Sequence, residues 1–178
     1  MTRLDTTAFA RQAARVGATV RRTTPPAAIA QALAILREAE CKTVALADAL
    51  PQRSLFAQAL SAAGLSLVST AALWPTRRAD AGISDATLAV AETGSLLLYS
   101  TSEDRRVELC VDVHLVLLAA DALVPTLDAA FAALRDISAR PPAYVSLVSG
   151  PSRSADIERQ LTIGVHGPRA VYILLLEA

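Results

Sequence analysis

The sequence predicts an α/β protein, a three-layer sandwich built on a mainly parallel sheet. Composition is the first reason. Apolar residues fill 53% of the 178 positions and aromatic residues only 4%, so the core is made of Ala, Leu, Val and Ile. Strands of that kind suit a sheet buried on both faces. The second reason is rhythm: short apolar runs alternate with helix-period stretches, as in βαβ units. The third is the last stretch, where Tyr144–Ser149 runs into polar turns before a final apolar strand. Polar groups at the carboxyl end of a strand sit where open α/β sheets bind small molecules.

The N-terminal residues lead into a mixed-charge helix. Pro25-Pro26 can start a second helix running to about Ala39, since proline is tolerated in a first turn. Thr43–Ala47 reads as a strand, Pro51–Ala63 as a helix ended by Gly64, and Leu65–Ser69 as the next strand. Ser69–Ala81, with Trp74-Pro75 and Arg77-Arg78, reads as a connecting loop. Leu88–Ala91, Ser95–Tyr99, Val107–Val111 and Leu115–Leu118 read as closely spaced strands, added antiparallel to the sheet. Leu123–Ile137 has the period of an amphipathic helix with Leu123, Leu127, Phe131 and Leu134 on one face. Pro141-Pro142 stops the chain before Tyr144–Ser149, which this reading places inside the parallel sheet beside the strands ending near Leu46, Val68 and Leu176. Residues 1–178 read as one domain.

Seventeen basic residues balance seventeen acidic ones, which gives no electrostatic reason to expect nucleic acid. The strongest apolar runs, Leu115–Ala120 and Val171–Leu176, are too short to span a bilayer, and the first residues lack a signal peptide's apolar centre. A soluble, cytoplasmic chain is expected. Cys41 and Cys110, with His114 and His166, have no ligand spacing. No iron–sulfur cluster, zinc site or other cofactor is therefore expected on this chain.

The candidate site residues lie in turns. Gly150-Pro151 makes a sharp exit from a strand, and Ser154 can cap a helix carrying Asp156 and Glu158. Ser152 and Ser154 could donate hydrogen bonds and Arg153 could clamp a carboxylate; equally, the segment could be only an elaborate cap. Glu92 ends an apolar strand just before Gly94. It could act as a general base or nucleophile, or pair with Arg105, Arg106 or Arg153. His166 lies in a Gly-rich turn and could join the ligand site or only bond a backbone carbonyl. His114 opens an apolar strand and reads as a satisfied buried histidine. Ser152 has no nucleophile-elbow sequence around it, and no Walker A or dinucleotide fingerprint is present.

Four words in order carry a resemblance: Gly82-Ile83-Ser84, Ala89-Val90-Ala91-Glu92-Thr93-Gly94-Ser95, SGPSRSADIE at 149–158 and GVHGP at 164–168. Together they resemble the LUD-domain family, the lactate utilization protein C group, most strongly over residues 80–178. Thr87 stands where relatives often carry Asp, and Val111 where they often carry Pro. The resemblance implies a fold similar to the sugar-phosphate isomerase and CoA-transferase superfamily. It implies a part in oxidising L-lactate to pyruvate beside partner proteins that bind iron–sulfur clusters. This chain would then be an accessory or substrate-handling component that binds a small carboxylate. The alternative is a stand-alone CoA-transferase-like or sugar-phosphate-isomerase-like enzyme, since Glu92-Thr93-Gly94 is similar to the Glu-x-Gly word around the catalytic glutamate of CoA transferases.

Overall fold

Asp5 starts the first helix: its carboxylate accepts the Thr7 amide at 2.8 Å, satisfying one of the donors that a helix start leaves open. The computed structural model describes residues 5–73, 78–137, 144–154 and 162–177. Helix α1 (Thr6–Arg15) leads to β1 (Thr19–Thr23). Pro25–Ala27 forms a 3-10 turn that opens α2 (Ala28–Glu38), followed by β2 (Thr43–Leu46), α3 (Arg53–Ala62) and β3 (Ser66–Val68). Next come β4 (Ala79–Asp85), β5 (Leu88–Val90), β6 (Ser95–Ser100), α4 (Asp104–Leu109) and β7 (Val111–Ala119). The chain continues through β8 (Leu123–Val124), α5 (Leu127–Ile137), β9 (Tyr144–Val148), β10 (Arg153–Ser154), β11 (Thr162–Ile163) and β12 (Ala170–Leu176).

The fold is α/β with a central, wholly parallel sheet of six strands in the order β1-β12-β7-β4-β2-β3. Alternate residues of its strands feed two cores. Val113, Leu115 and Leu117 of β7 and Leu174 of β12 join α2 and α3 on one face. Val116 and Leu118 with Val171, Ile173 and Leu175 join α1 and a second sheet on the other. That second sheet has four strands in the order β8-β5-β6-β9, and α5 covers its outer side through Ala130, packed with Leu88, Val90 and Leu97. The layer on the second face is thus a small sheet and one helix.

Several elements differ from the sequence reading. The strand Tyr144–Val148 is not inside the parallel sheet; it pairs antiparallel with β6 at the edge of the small sheet. Its apolar run marks a strand but not a neighbour, and Tyr144, Val145 and Leu147 remain exposed. Val107–Val111 is mostly α4, because so short an apolar segment, broken by Glu108, fits a helical turn as well as a strand. Leu115–Leu118 lies in β7, a parallel strand in the middle of the large sheet. The antiparallel pairing expected here forms between β5 and β6, but in a second sheet, where β9 also joins β6. Leu123 belongs to β8, and α5 begins only at Leu127, so its buried stripe runs through Leu127, Ala130, Ala133 and Leu134 while Phe131 is 56% exposed. Ala79–Ala81 is strand and not loop. Strand β1 went unpredicted because Arg21 and Arg22 break its apolar pattern; as an edge strand it tolerates them. Positions 74–77, Pro141-Pro142 and the helix expected at Asp156 and Glu158 lie outside the described residues.

Helix α4 sits hard against β4 at Gly82. A Cβ there would lie 2.5 Å from the Val107 carbonyl oxygen, which no side chain tolerates. Gly82→Ala should therefore force α4 outward and cost about 1–3 kcal/mol, the range for overpacking. Chemical denaturation of the variant beside wild type checks it, with a lower midpoint expected.

Candidate functional site

Helix α1 is the hub on which the sequence-predicted turns converge. A Cβ on Gly94 would strike the α1 backbone at Gln12 and Ala13, and one on Gly150 would strike Val16. Both turns can therefore lie flush on the helix only as glycine. Ser95 and Ser149 hydroxyls tie the two turns together at 2.7 Å. Arg153 donates from Nη2 to the Val16 carbonyl at 2.7 Å and lies over Gly17.

The two C-terminal turns do come together. Ser152 donates its amide to Pro168 and accepts the Gly164 amide, both at 2.9 Å, and β10 pairs with β11. Ser152, Arg153 and Ser154 thus adjoin the turn holding His166, which is exposed. Ser154 lies in the short ladder opposite Thr162. Glu92 is placed apart from them. It lines an open concavity of about 510 Å³ on the other side of Arg15, together with Asp5, Arg11, Gln12, Arg15 and Pro125. Its partner is none of the three arginines considered. Oε1 accepts the Leu127 amide at 2.7 Å, while Thr126 Oγ1 accepts the Ala129 amide at 3.2 Å. Glu92 therefore helps cap α5. Arg105 instead lies over the Tyr144 ring, and Arg106 donates to the Ala71 carbonyl.

A second cluster escaped the sequence reading. From β2 the chain moves outward to β3, then returns past β2 to β4 and on to β7. That reversal is a topological switch point, where doubly wound sheets place ligands. Beyond the ends of β2 and β4 lies a small cavity lined by Ala47, Ser84, Asp85, Ser100, Asp104 and Glu108, among others. Asp104 Oδ1 accepts the Asp48 amide at 2.5 Å. Glu108 is only 5% exposed. Burial raises its carboxyl above the usual range against the Ser100 and Ser146 hydroxyls and Arg105 beside it, and Asp104 adds to the rise. Neither Glu108 Oε2 nor Ser100 Oγ has an aligned hydrogen-bond partner. Burial raises Asp85 as well, helped by Asp104. The signal was spread over Asp85, Asp104 and Glu108, in three unrelated contexts that only the β4–α4 contact unites.

His114 is 1% exposed on β7 and its Nε2 lies 2.8 Å from Ser84 Oγ, which fits the reading of a satisfied buried histidine. Cys41 and Cys110 are free and buried, and burial pushes both thiols up, Cys41 to about 11, so neither is a nucleophile at neutral pH. Among the described residues no three His, Cys, Asp or Glu side chains are grouped to hold a metal, and no helix is long and apolar enough to cross a membrane.

The model of a family described as LUD domain matches residues 7–176. Lactate utilization protein C 1 of Bacillus mycoides (strain KBAB4) is 36% identical over 104 residues, which are 56% of this chain and 44% of that protein. Lactate utilization protein C of Halalkalibacterium halodurans is 38% identical over 103 residues, 55% of this chain and 45% of that one. The Bacillus subtilis (strain 168) protein of the same name is 34% identical over 103 residues, with 55% and 43% covered. The matched stretch thus spans less than half of these relatives' own length. In structure, a DUF162-family protein from Deinococcus radiodurans shares the fold with a TM-score of 0.69 and 20% identity, over 96% of this chain and 95% of that one.

Burial holds His114 neutral, with its pKa lowered to about 4, while in the unfolded chain it titrates near 6.5. Between those values only the unfolded state takes up the proton. This contribution to stability is intact above pH ~6.5 and is lost as pH falls to ~4, by on the order of 3 kcal/mol. Unfolding free energies measured from pH 7 to pH 4 should fall less steeply in His114→Asn than in wild type, and equal slopes would refute the assignment.

Proposed function

The chain belongs to the LUD-domain family, and from that premise we propose that it is a substrate-handling component of L-lactate utilisation. It would act beside iron–sulfur partner proteins in the oxidation of lactate to pyruvate. The observation that carries the reading is the family match across nearly the whole chain, together with relatives that bear the lactate-utilisation name. Two cysteines, buried and far apart in sequence, are too few to hold a cluster, so electron carriers would reside on the partners.

The small carboxylate is proposed to dock against α1. Arg11 and Arg15 stand four residues apart on one helix face and line the same concavity. Arg153 bonds the Val16 carbonyl one residue beyond Arg15, and with Ser152, Ser154 and His166 it is proposed as a neighbouring contact outside that concavity. Guanidinium groups bind carboxylates bidentately, whereas Asp5 and Glu92 on the same rim would discourage a multiply charged anion. Calorimetry with L-lactate and pyruvate, against phosphate as control, tests this. Arg11→Ala and Arg153→Ala should each weaken carboxylate binding by about 1.5–3 kcal/mol. Absence of lactate and pyruvate binding to the wild-type chain at millimolar concentration would overturn the reading.

A stand-alone CoA-transferase-like or sugar-phosphate-isomerase-like enzyme with Glu92 as nucleophile or base is the second reading. The bond from Leu127 to Glu92 speaks for a capping role instead. Glu92→Ala should lower stability by about 1 kcal/mol, a usual figure for a lost cap, and Glu92→Gln by less, since it keeps an acceptor oxygen. Thermal melts run beside acyl-CoA and sugar-phosphate turnover assays separate the readings. Turnover by wild type that Glu92→Gln abolishes with an unchanged melt would establish the enzyme.

A further inference from the structure

The geometry points to the cavity where β2 and β4 end as a binding site for a primary ammonium group, distinct from the carboxylate face on α1. The inference does not rest on the lactate reading and reaches a different end of the molecule's chemistry. Its polar lining is Ser84, Asp85, Tyr99, Ser100, Asp104 and Glu108. Ser84 Oγ is engaged with His114 and Asp104 Oδ1 with the Asp48 amide. What remains is Glu108 Oε2 and Ser100 Oγ, both without an aligned partner, and the carboxyl of Asp85.

The Ser100 and Ser146 hydroxyls lie near the Glu108 carboxyl, but neither is aligned on the buried Oε2, which leaves that acceptor open to a better donor. A carboxylate or phosphate would be repelled by three acidic side chains. A hydroxyl brings a single proton to three acceptors. An ammonium head brings three donors and a positive charge on one small centre. The free space is about 10 Å³, the room that one water-sized group needs, and that is the size of an ammonium. Arg105, the cation acting on Glu108, is turned to the Tyr144 ring at 4.9 Å and does not line the cavity. Asp85 is only half-buried, which gives a tail a way out. The placement agrees: the cavity sits at the carboxyl-end switch point between β2 and β4.

The test is an amide NMR titration of the full chain with methylammonium chloride, ammonium chloride and sodium chloride at equal ionic strength. Saturable shifts at Ser100 and across Asp104–Glu108 are expected with an ammonium-type cation and not with sodium. Binding of both nitrogen cations assigns an amine head that carries a tail; binding of ammonium alone assigns the free ion. Glu108→Gln should weaken binding about tenfold or more, the effect of one charge-assisted hydrogen bond. Ser100→Ala keeps the charge and should weaken it too, so the site stays testable if the first variant folds poorly. Responses equal to those of sodium, or wild-type affinity in both variants, overturn the proposal and leave a water beside a protonated Glu108.

Discussion

A single missing methyl group governs the carboxyl side of the large sheet. Gly82 lets α4 lie directly on β4, with the Val107 carbonyl where a Cβ would be. From that contact α4 projects Asp104 and Glu108 toward Asp85, three residues further along the same strand. The acidic cavity is therefore a product of backbone approach and not of any local sequence word. The same approach fixes how the chain passes from β6 in the small sheet to β7 in the large one, because α4 is the link between them.

The fold class was legible because burial on two faces leaves an unmistakable trace. Val171–Leu176 and Leu115–Leu118 are continuous apolar runs, and in the structure their alternate residues feed opposite cores. Pairing was not legible. Tyr144–Val148 has the composition of an inner strand and lies at an edge, since neighbours are chosen by tertiary packing that a run of five residues does not encode. Glu92 stood out as a carboxylate at a strand end, yet its partner is a backbone amide 35 positions away. No charge pattern announces such a bond. The 149–158 and 164–168 words did mark turns that meet, through Ser152 and the Gly164 and Pro168 backbones. Their glycines betray the reason, because Gly150 must clear the backbone of α1.

Charge on this neutral chain is sorted in space. The α1 face gathers Arg11 and Arg15, with Arg153 held nearby by the Val16 carbonyl. The switch-point cavity gathers Asp85, Asp104 and Glu108. An overall balance of seventeen against seventeen thus conceals an uneven placement, since the switch-point cavity is acidic while the α1 concavity sets two arginines beside Asp5 and Glu92.

Strand β1 pairs with β12 alone, Thr19 opposite Tyr172 and Thr23 opposite Leu176. The earliest of the described strands thus pairs with the latest, with some 150 intervening positions to be closed in space. Helix α1 waits in the same way for the turn at Gly150. Vectorial synthesis can assemble β2, β3, β4 and β7 as the chain emerges, and α1 can meet the turn at Gly94, but β1 stays unpaired until positions 170–176 exist. Such long-range closure is slow. During that interval Phe9 and Ala13, wholly enclosed in the finished protein, lack the cover that Val171, Ile173 and Leu175 supply.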